Sequence, residues 1–388
     1  MSVTAARGFE ASGVAAGIRR DGLDLALVRS VSPAVGAALW TANRVPAAPV
    51  TVSRRHLEAA EPQAVVVNAG IANAATGARG EADAEATAAA AAGRLGLETQ
   101  QVLVLSTGVI GVALPMERVL PGVDAAADAL STEGGGDAAA AILTTDSGPK
   151  QAVRSTSGFT VGGMAKGAGM IHPCLATMLA VVTTDYPLVP GEPLELLRPA
   201  VEQSFNRISV DGECSTNDAV VLLANGACGA VERDPDRDAD FARALGEVCH
   251  DLARQIVEDG EGATVLLEID VTGASSSEEA LAVARRVATS PLVKTAAFGR
   301  DPNWGRVLAA AGSAPWNGGF ARLDPSRLSV SFDGVAVFAA GAPTGSTPTL
   351  AGPSCRISIE LGLGDGQASY LASDLTYDYV RINAEYTT

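Results

Sequence analysis

Aromatic side chains make up only 4% of this 388-residue chain. An interior without them has to be filled by small aliphatic groups, which favours layers of backbone in close approach. Histidine is scarcer still. His56, His172 and His250 are the three in the sequence, too few and too separated for the usual imidazole metal site and a poor basis for a serine-histidine-acid triad. The five cysteines, Cys174, Cys214, Cys228, Cys249 and Cys355, are odd in number and lack CxxC spacing, which speaks against a disulfide framework or a zinc site. No metal is therefore expected. Basic clusters are absent from a chain of formal charge −16, making nucleic acid and anionic membrane surfaces poor partners. The opening MSVTAARGFEASG has no apolar h-region, and no window approaches the ~18 apolar residues of a membrane-crossing helix. A cytoplasmic location follows as the expectation.

What is present is a balance of 47% hydrophobic and 19% charged residues, that of a folded globular protein with length for two domains or one large one. Short apolar runs between turn residues predict strands at 23–28, 37–40, 49–52, 64–67 and 102–105. Alanine-rich or helically periodic stretches predict helices at 83–95, 115–130, 137–143, 194–205, 238–257, 278–287 and from Asp301 to Ala311. Further strands are expected at 151–153, 159–161, 178–182, 219–223 and 266–271, followed by a β-rich end at 328–332, 335–338, 357–361 and 368–371. The two kinds of element alternate in irregular groups, which points to an α+β layered fold and away from a simple βαβ winding.

The stretch with most chemical content is Gly162 to Asp185, GGMAKGAGMIHPCLATMLAVVTTD. It reads as a flexible glycine-rich approach carrying Lys166, then the pair Ala176-Thr177, then a buried strand. A small residue followed by a hydroxyl at the head of a strand is a place where a chain can cut itself. Thr177 would then be a new N-terminus whose α-amine, with a pKa near ~8, can serve as base to its own hydroxyl. The plainer reading makes Thr177 an ordinary strand residue. Lys166, set among small residues, is read as a cation for a substrate carboxylate, against the commoner fate of a surface charge. Glu261, between two glycines, is a candidate partner for a substrate ammonium or a solvated loop carboxylate. The segment Ser106-Thr107-Gly108-Val109-Ile110-Gly111 follows a strand and is a candidate anion or oxyanion loop, or a plain turn. His172 and Cys174 read as structural.

These residues carry a family resemblance. KGAGMIHPCLATML closely resembles the self-cleavage segment of the glutamate N-acetyltransferase / ornithine acetyltransferase family of arginine biosynthesis, and STGVIG, TTD at 144–146, DGECSTND, EGAT, DPNWGR and the terminal NAEYTT match in the same order. The resemblance covers nearly the whole chain. It implies an αββα-type sandwich and a precursor cut between Ala176 and Thr177 into pieces 1–176 and 177–388 that interlock into one catalytic unit, with residues from about 265 to 388 as a possible smaller domain. It further implies Thr177 as the nucleophile, Thr107 and Gly108 as the oxyanion hole, and Thr144, Lys166, Thr177, Glu261, Asn383 and Thr388 as the substrate site. Cys174 and Ile71 stand where relatives usually have asparagine.

The implied reaction moves an acetyl group from N2-acetyl-L-ornithine to L-glutamate through an acetyl-threonine. It needs no metal and no organic cofactor; some relatives also use acetyl-coenzyme A, and an α2β2 heterotetramer is the implied assembly. A self-cleaving aminopeptidase or amidase is the rival among enzymes, and a small-molecule binding protein the rival outside them.

Overall fold

The computed structural model describes residues 2–156, 158–172, 178–229 and 233–385. They form two compact units, one running through Asn206 and including Glu213–Ile256, the other made of Arg207–Gly212 and the chain from Val257 on.

In the first unit, the apolar runs build two sheets. One has the order β1 (Phe9–Val14), β2 (Leu25–Ser30), β4 (Ala64–Ile71), β5 (Val102–Val109). The other has the order β3 (Val35–Trp40), β10 (Ala219–Ala224), β8 (Leu179–Thr184), β7 (Thr160–Lys166), β6 (Lys150–Ser155). Their facing surfaces share one core, with Val28, Val65, Val67, Leu103 and Leu105 from the first sheet and Met164, Leu179, Val181, Val221 and Leu223 from the second. The outer face of the first sheet buries Leu25, Leu27, Val66 and Val104 against α2 (Gly77–Leu95) and α3 (Met116–Asp128). The second sheet is covered by α5 (Glu192–Glu202) and α6 (Pro235–Glu258). Helix, sheet, sheet, helix is therefore the layering, an αββα sandwich. Each buried valine or leucine contributes roughly 1.5–3 kcal/mol of transfer free energy, and alanines at the helix contacts let the layers close up.

Both sheets of this unit interleave segments distant in sequence. β7 and β8 pair antiparallel across the stretch that contains Ala176-Thr177, with Lys166 opposite Leu179, and β10 pairs parallel to β8. Strands from both sides of that point thus share one ladder.

Several expectations need correction. Residues 49–52 form no strand; they open α1 (Ala48–Ala59), with Pro49 in its first turn. Proline presets the helical φ there and lacks an N–H that would be unsatisfied anyway. The helix presents Ser53 and His56 to the edge strand β5: the Ser53 hydroxyl bonds both Val104 carbonyl and N–H at 2.8 Å, and His56 Nδ1 lies 2.8 Å from the Val102 carbonyl. It covers an edge that would otherwise stand open. The strand expected at 64–67 runs on to Ile71, and the candidate loop at 106–109 continues as strand in β5. The glycine-rich approach at 162–166 is likewise strand, buried throughout. Glycine is required there by close packing, since a Cβ on Gly162 would stand 2.2 Å from the Ser2 carbonyl oxygen. Strand β1 and two helices, α8 (Pro291–Phe298) and α10 (Tyr377–Glu385), have no counterpart in the sequence reading.

The second unit is a seven-stranded sheet of order β16 (Ala342–Pro343), β15 (Val335–Ala339), β14 (Ser329–Phe332), β17 (Ser354–Glu360), β11 (Leu266–Ala274), β18 (Gly366–Ser373), β9 (Ile208–Ser209). Helix α7 (Ser277–Ala288) packs on β11 and β18, and α9 (Trp304–Ala311) joins the same core through Val307, Ala310 and Ala311. A short hairpin, β12 (Pro315–Trp316) with β13 (Gly319–Phe320), completes it. Among the described residues no helix is long and apolar enough to cross a membrane.

Candidate active site

The site lies in the first unit, where β7 ends at Lys166, β5 ends in Thr107-Gly108-Val109, and the turn after helix α4 (Gly135–Ala141) supplies Thr144 and Asp146. Lys166 is only 3% exposed. Burying an ammonium costs several kcal/mol unless it is hydrogen-bonded. Here Nζ donates to Thr144 Oγ1 at 2.6 Å and to Thr107 Oγ1 at 3.3 Å. The Asp146 carboxylate stands further off, Oδ2 lying 3.7 Å from that Nζ.

The Asp146 side chain is fully enclosed. Its Oδ1 accepts from Lys150 Nζ at 2.7 Å and from the Gly167 N–H at 2.6 Å, and its Oδ2 from the Thr144 N–H at 3.0 Å. Burial alone would push this carboxyl up; the charges of Lys166 and Lys150, with the hydrogen bonds from Lys150 and the Thr144 backbone, outweigh it and hold Asp146 well below the usual carboxylate range.

Gly108 has φ +128°, and a Cβ there would fall 2.2 Å from the Gly70 carbonyl carbon. Only glycine lets β4 and β5 approach so closely, and the register between them slips at Ile71. That irregularity lies beside Thr107, whose side chain is buried. The residue before it is fixed by a polar network: Ser106 Oγ donates to Asn68 Oδ1 at 2.5 Å, and Asn217 Nδ2 donates to the Ser106 carbonyl at 2.8 Å and the Ala72 carbonyl at 2.7 Å. Next to Asn217, the buried Asp218 accepts the Met178 N–H on Oδ1 at 3.1 Å. That nitrogen belongs to the peptide that follows Thr177 in sequence.

Of the residues singled out from sequence, Thr107, Gly108, Thr144 and Lys166 come together. Glu261 and Asn383 belong to the second unit, where Asn383 Nδ2 donates to Glu261 Oε2 at 2.7 Å. Cys174, Ala176, Thr177 and Thr388 lie outside the described residues. Sequence reasoning passed over Asp146, Lys150, Asn217 and Asp218. Three of them close the TTD and DGECSTND segments, where a polar residue next to an apolar strand was the available signal. Among the described residues no group of His, Cys, Asp or Glu is placed to hold a metal ion.

Fold and site together define an enzyme of the αββα-sandwich class, with a buried cation and two hydroxyls gathered where strands of both sheets end. Comparison with known proteins gives the family. The model described as ArgJ family matches residues 10–388. The "Arginine biosynthesis bifunctional protein ArgJ" of Mycolicibacterium paratuberculosis is 48% identical, aligned over all of this chain and 96% of that protein. The protein of the same name from Thermobifida fusca is 46% identical, with both chains covered in full. A solved structure, an ornithine acetyltransferase complexed with ornithine from Mycobacterium tuberculosis, aligns at 45% identity with a TM-score of 0.43 over 44% of this chain and 94% of that one. The chain belongs to the ArgJ family.

Proposed function

We propose that the protein transfers an acetyl group from N2-acetyl-L-ornithine to L-glutamate in arginine biosynthesis, through an acetyl ester on Thr177 formed after the chain cuts itself between Ala176 and Thr177. The observation that carries this reading is the buried Lys166 ammonium bonded to the hydroxyls of Thr107 and Thr144. Family membership along the whole chain supports it.

In the proposed cycle the Thr177 hydroxyl oxygen adds to the acetyl carbonyl while the Thr177 α-amine takes the hydroxyl proton. Negative charge grows on the carbonyl oxygen. The Thr107 hydroxyl and the Gly108 N–H stabilise it, each donor contributing roughly 3 kcal/mol. Because Lys166 donates to Thr107 Oγ1, it polarises that hydroxyl as a donor in turn. Collapse breaks the C–N bond, and the ornithine amine leaves with the proton held by the Thr177 amine. Glutamate then attacks the ester by the reverse sequence and leaves as N-acetylglutamate, so the kinetics are ping-pong.

Lys166 and Thr144 take the substrate carboxylate, while Glu261, Asn383 and Thr388 complete the recognition of its charged ends. The pieces 1–176 and 177–388 stay together, because β7 on one side of the cut and β8 on the other are neighbours in one sheet. We extend the reading to an α2β2 assembly in the cytoplasm, with acetyl-coenzyme A as a second acetyl donor.

Thr177→Ala tests the core of this reading. Intact mass should show one uncut chain of that variant against two pieces for the wild type, and N-acetylornithine plus glutamate should give no N-acetylglutamate. A variant that still splits assigns the nucleophile elsewhere. Wild-type enzyme that releases acetate at the same rate with and without glutamate would be a hydrolase.

A further inference from the structure

Lys150 has no part in the reaction just described, yet it is 2% exposed and lies beside Lys166 at the end of the neighbouring strand. Burying a second ammonium so close to the first is costly, both in desolvation and in like-charge repulsion. Both ammonium groups face Asp146, at unequal distances. Lys150 Nζ sits 2.7 Å from Oδ1, whereas Lys166 Nζ is 3.7 Å from Oδ2. Lys150 Nζ also lies 3.4 Å from the Gly148 carbonyl, and the Gly167 N–H shares Oδ1 with it at 2.6 Å. Lys166 meanwhile makes its short contact, 2.6 Å, with the Thr144 hydroxyl.

We infer that Lys150 is a positioning residue for the transfer reaction: by holding Asp146 at contact distance it keeps that carboxylate from capturing Lys166, so that Lys166 stays aimed at Thr107 and Thr144, where the proposed substrate carboxylate binds. The inference rests on the reading of Lys166 as the substrate cation. The physical reason is competition. A buried carboxylate attracts whichever ammonium can reach it, and a charge-assisted contact at 2.7–2.9 Å is far stronger than one about an ångström longer. With Lys150 in place Asp146 is already paired. Without it, the nearest cation is Lys166, one short movement away.

The test uses the full-length, self-processed enzyme and steady-state kinetics with N-acetylornithine. Lys150→Met should raise KM about tenfold, the loss of one well-placed charged contact, with kcat changed far less. Lys150→Gln, one bond shorter but still a hydrogen-bond donor toward Asp146, removes the charge, should shift KM in the same direction and guards against misfolding of the methionine variant. Adding Asp146→Asn to either removes the captor and should return KM toward the wild-type value. A purely structural Lys150 would lower the yield of active enzyme and leave KM of the folded fraction unchanged, which overturns the inference; so does a double variant whose KM stays as high as the single one. Lys166→Met, run alongside, separates the two levels. If it leaves KM unchanged, the substrate reading of Lys166 fails; if it raises KM while the Lys150 variants do not, only the inference about Lys150 fails.

Discussion

Both units bury lysines, and Lys166 and Lys294 are held in contrasting ways. Lys166 in the first unit ends a strand and donates to two side-chain hydroxyls, with the Asp146 carboxylate 3.7 Å away. Lys294 in the second unit lies in the helix α8 and donates to the Ser373 carbonyl and, at 3.4 Å, to the Ser373 hydroxyl. Burial pushes the Lys294 ammonium down to about 8, the charges of Asp374 and Asp211 offsetting part of that shift. Asp374 in turn accepts the Thr264 N–H at 2.8 Å and the Thr264 hydroxyl at 2.5 Å, so this aspartate ties the end of β18 to the start of β11, while the lysine ties α8 to β18. Burial alone therefore does not mark a functional lysine. The partners differ: hydroxyls of two separate segments for Lys166, the carbonyl and hydroxyl of one residue for Lys294.

The contrast can be broken by substitution, starting from the largest effect. Lys166→Ala should raise KM for N-acetylornithine about a hundredfold, because a desolvated carboxylate loses its charged partner; a change within twofold would erase the distinction. Lys294→Met should leave KM within about twofold and lower stability by about 1–3 kcal/mol, since the Ser373 carbonyl loses its donor. Its pH dependence has a definite sign. A lysine whose pKa falls from 10.5 in the unfolded chain to about 8 in the folded one favours folding more as pH rises between those values, because the unfolded chain then holds more protons. Urea unfolding should accordingly show the wild type gaining on Lys294→Met as pH rises through that window, and a gap that narrows would contradict it. The smallest effect is expected at Glu261→Gln. It accepts a hydrogen bond from the exposed Asn383, so stability should stay within about 0.5 kcal/mol, and KM should rise only several-fold.

Much of the layering could be read from the chain. Runs such as LDLALV and AVVLL, bounded by turn residues, read as buried strands, and the acidic start of the alanine-rich stretch 83–95 suited a helix, which the structure begins six residues earlier at Gly77. PVTV could not be decided from four residues, because alternating valines fit a strand and a helix face equally well until a neighbouring edge strand selects one. Helix α10 has no buried residue, so no apolar period announced it. Gly162–Lys166 looked flexible for a related reason: glycine signals freedom in isolation, yet here it signals a backbone packed against Ser2.

For the site, the sequence by itself determined the chemistry on offer: a lysine among small residues, threonines next to glycines, few histidines, and a family pattern spanning the chain. Tertiary structure decided which of these meet. Lys166 and Thr107 are 59 residues apart, and Asn217 reaches the Ser106 carbonyl across 111. Such distances are set by the register of strands in two sheets and by a bulge that only Gly70 and Gly108 permit. The sharing of Asp146 between two lysines belongs to the same level, because its geometry depends on how three separate segments pack and on no single one of them.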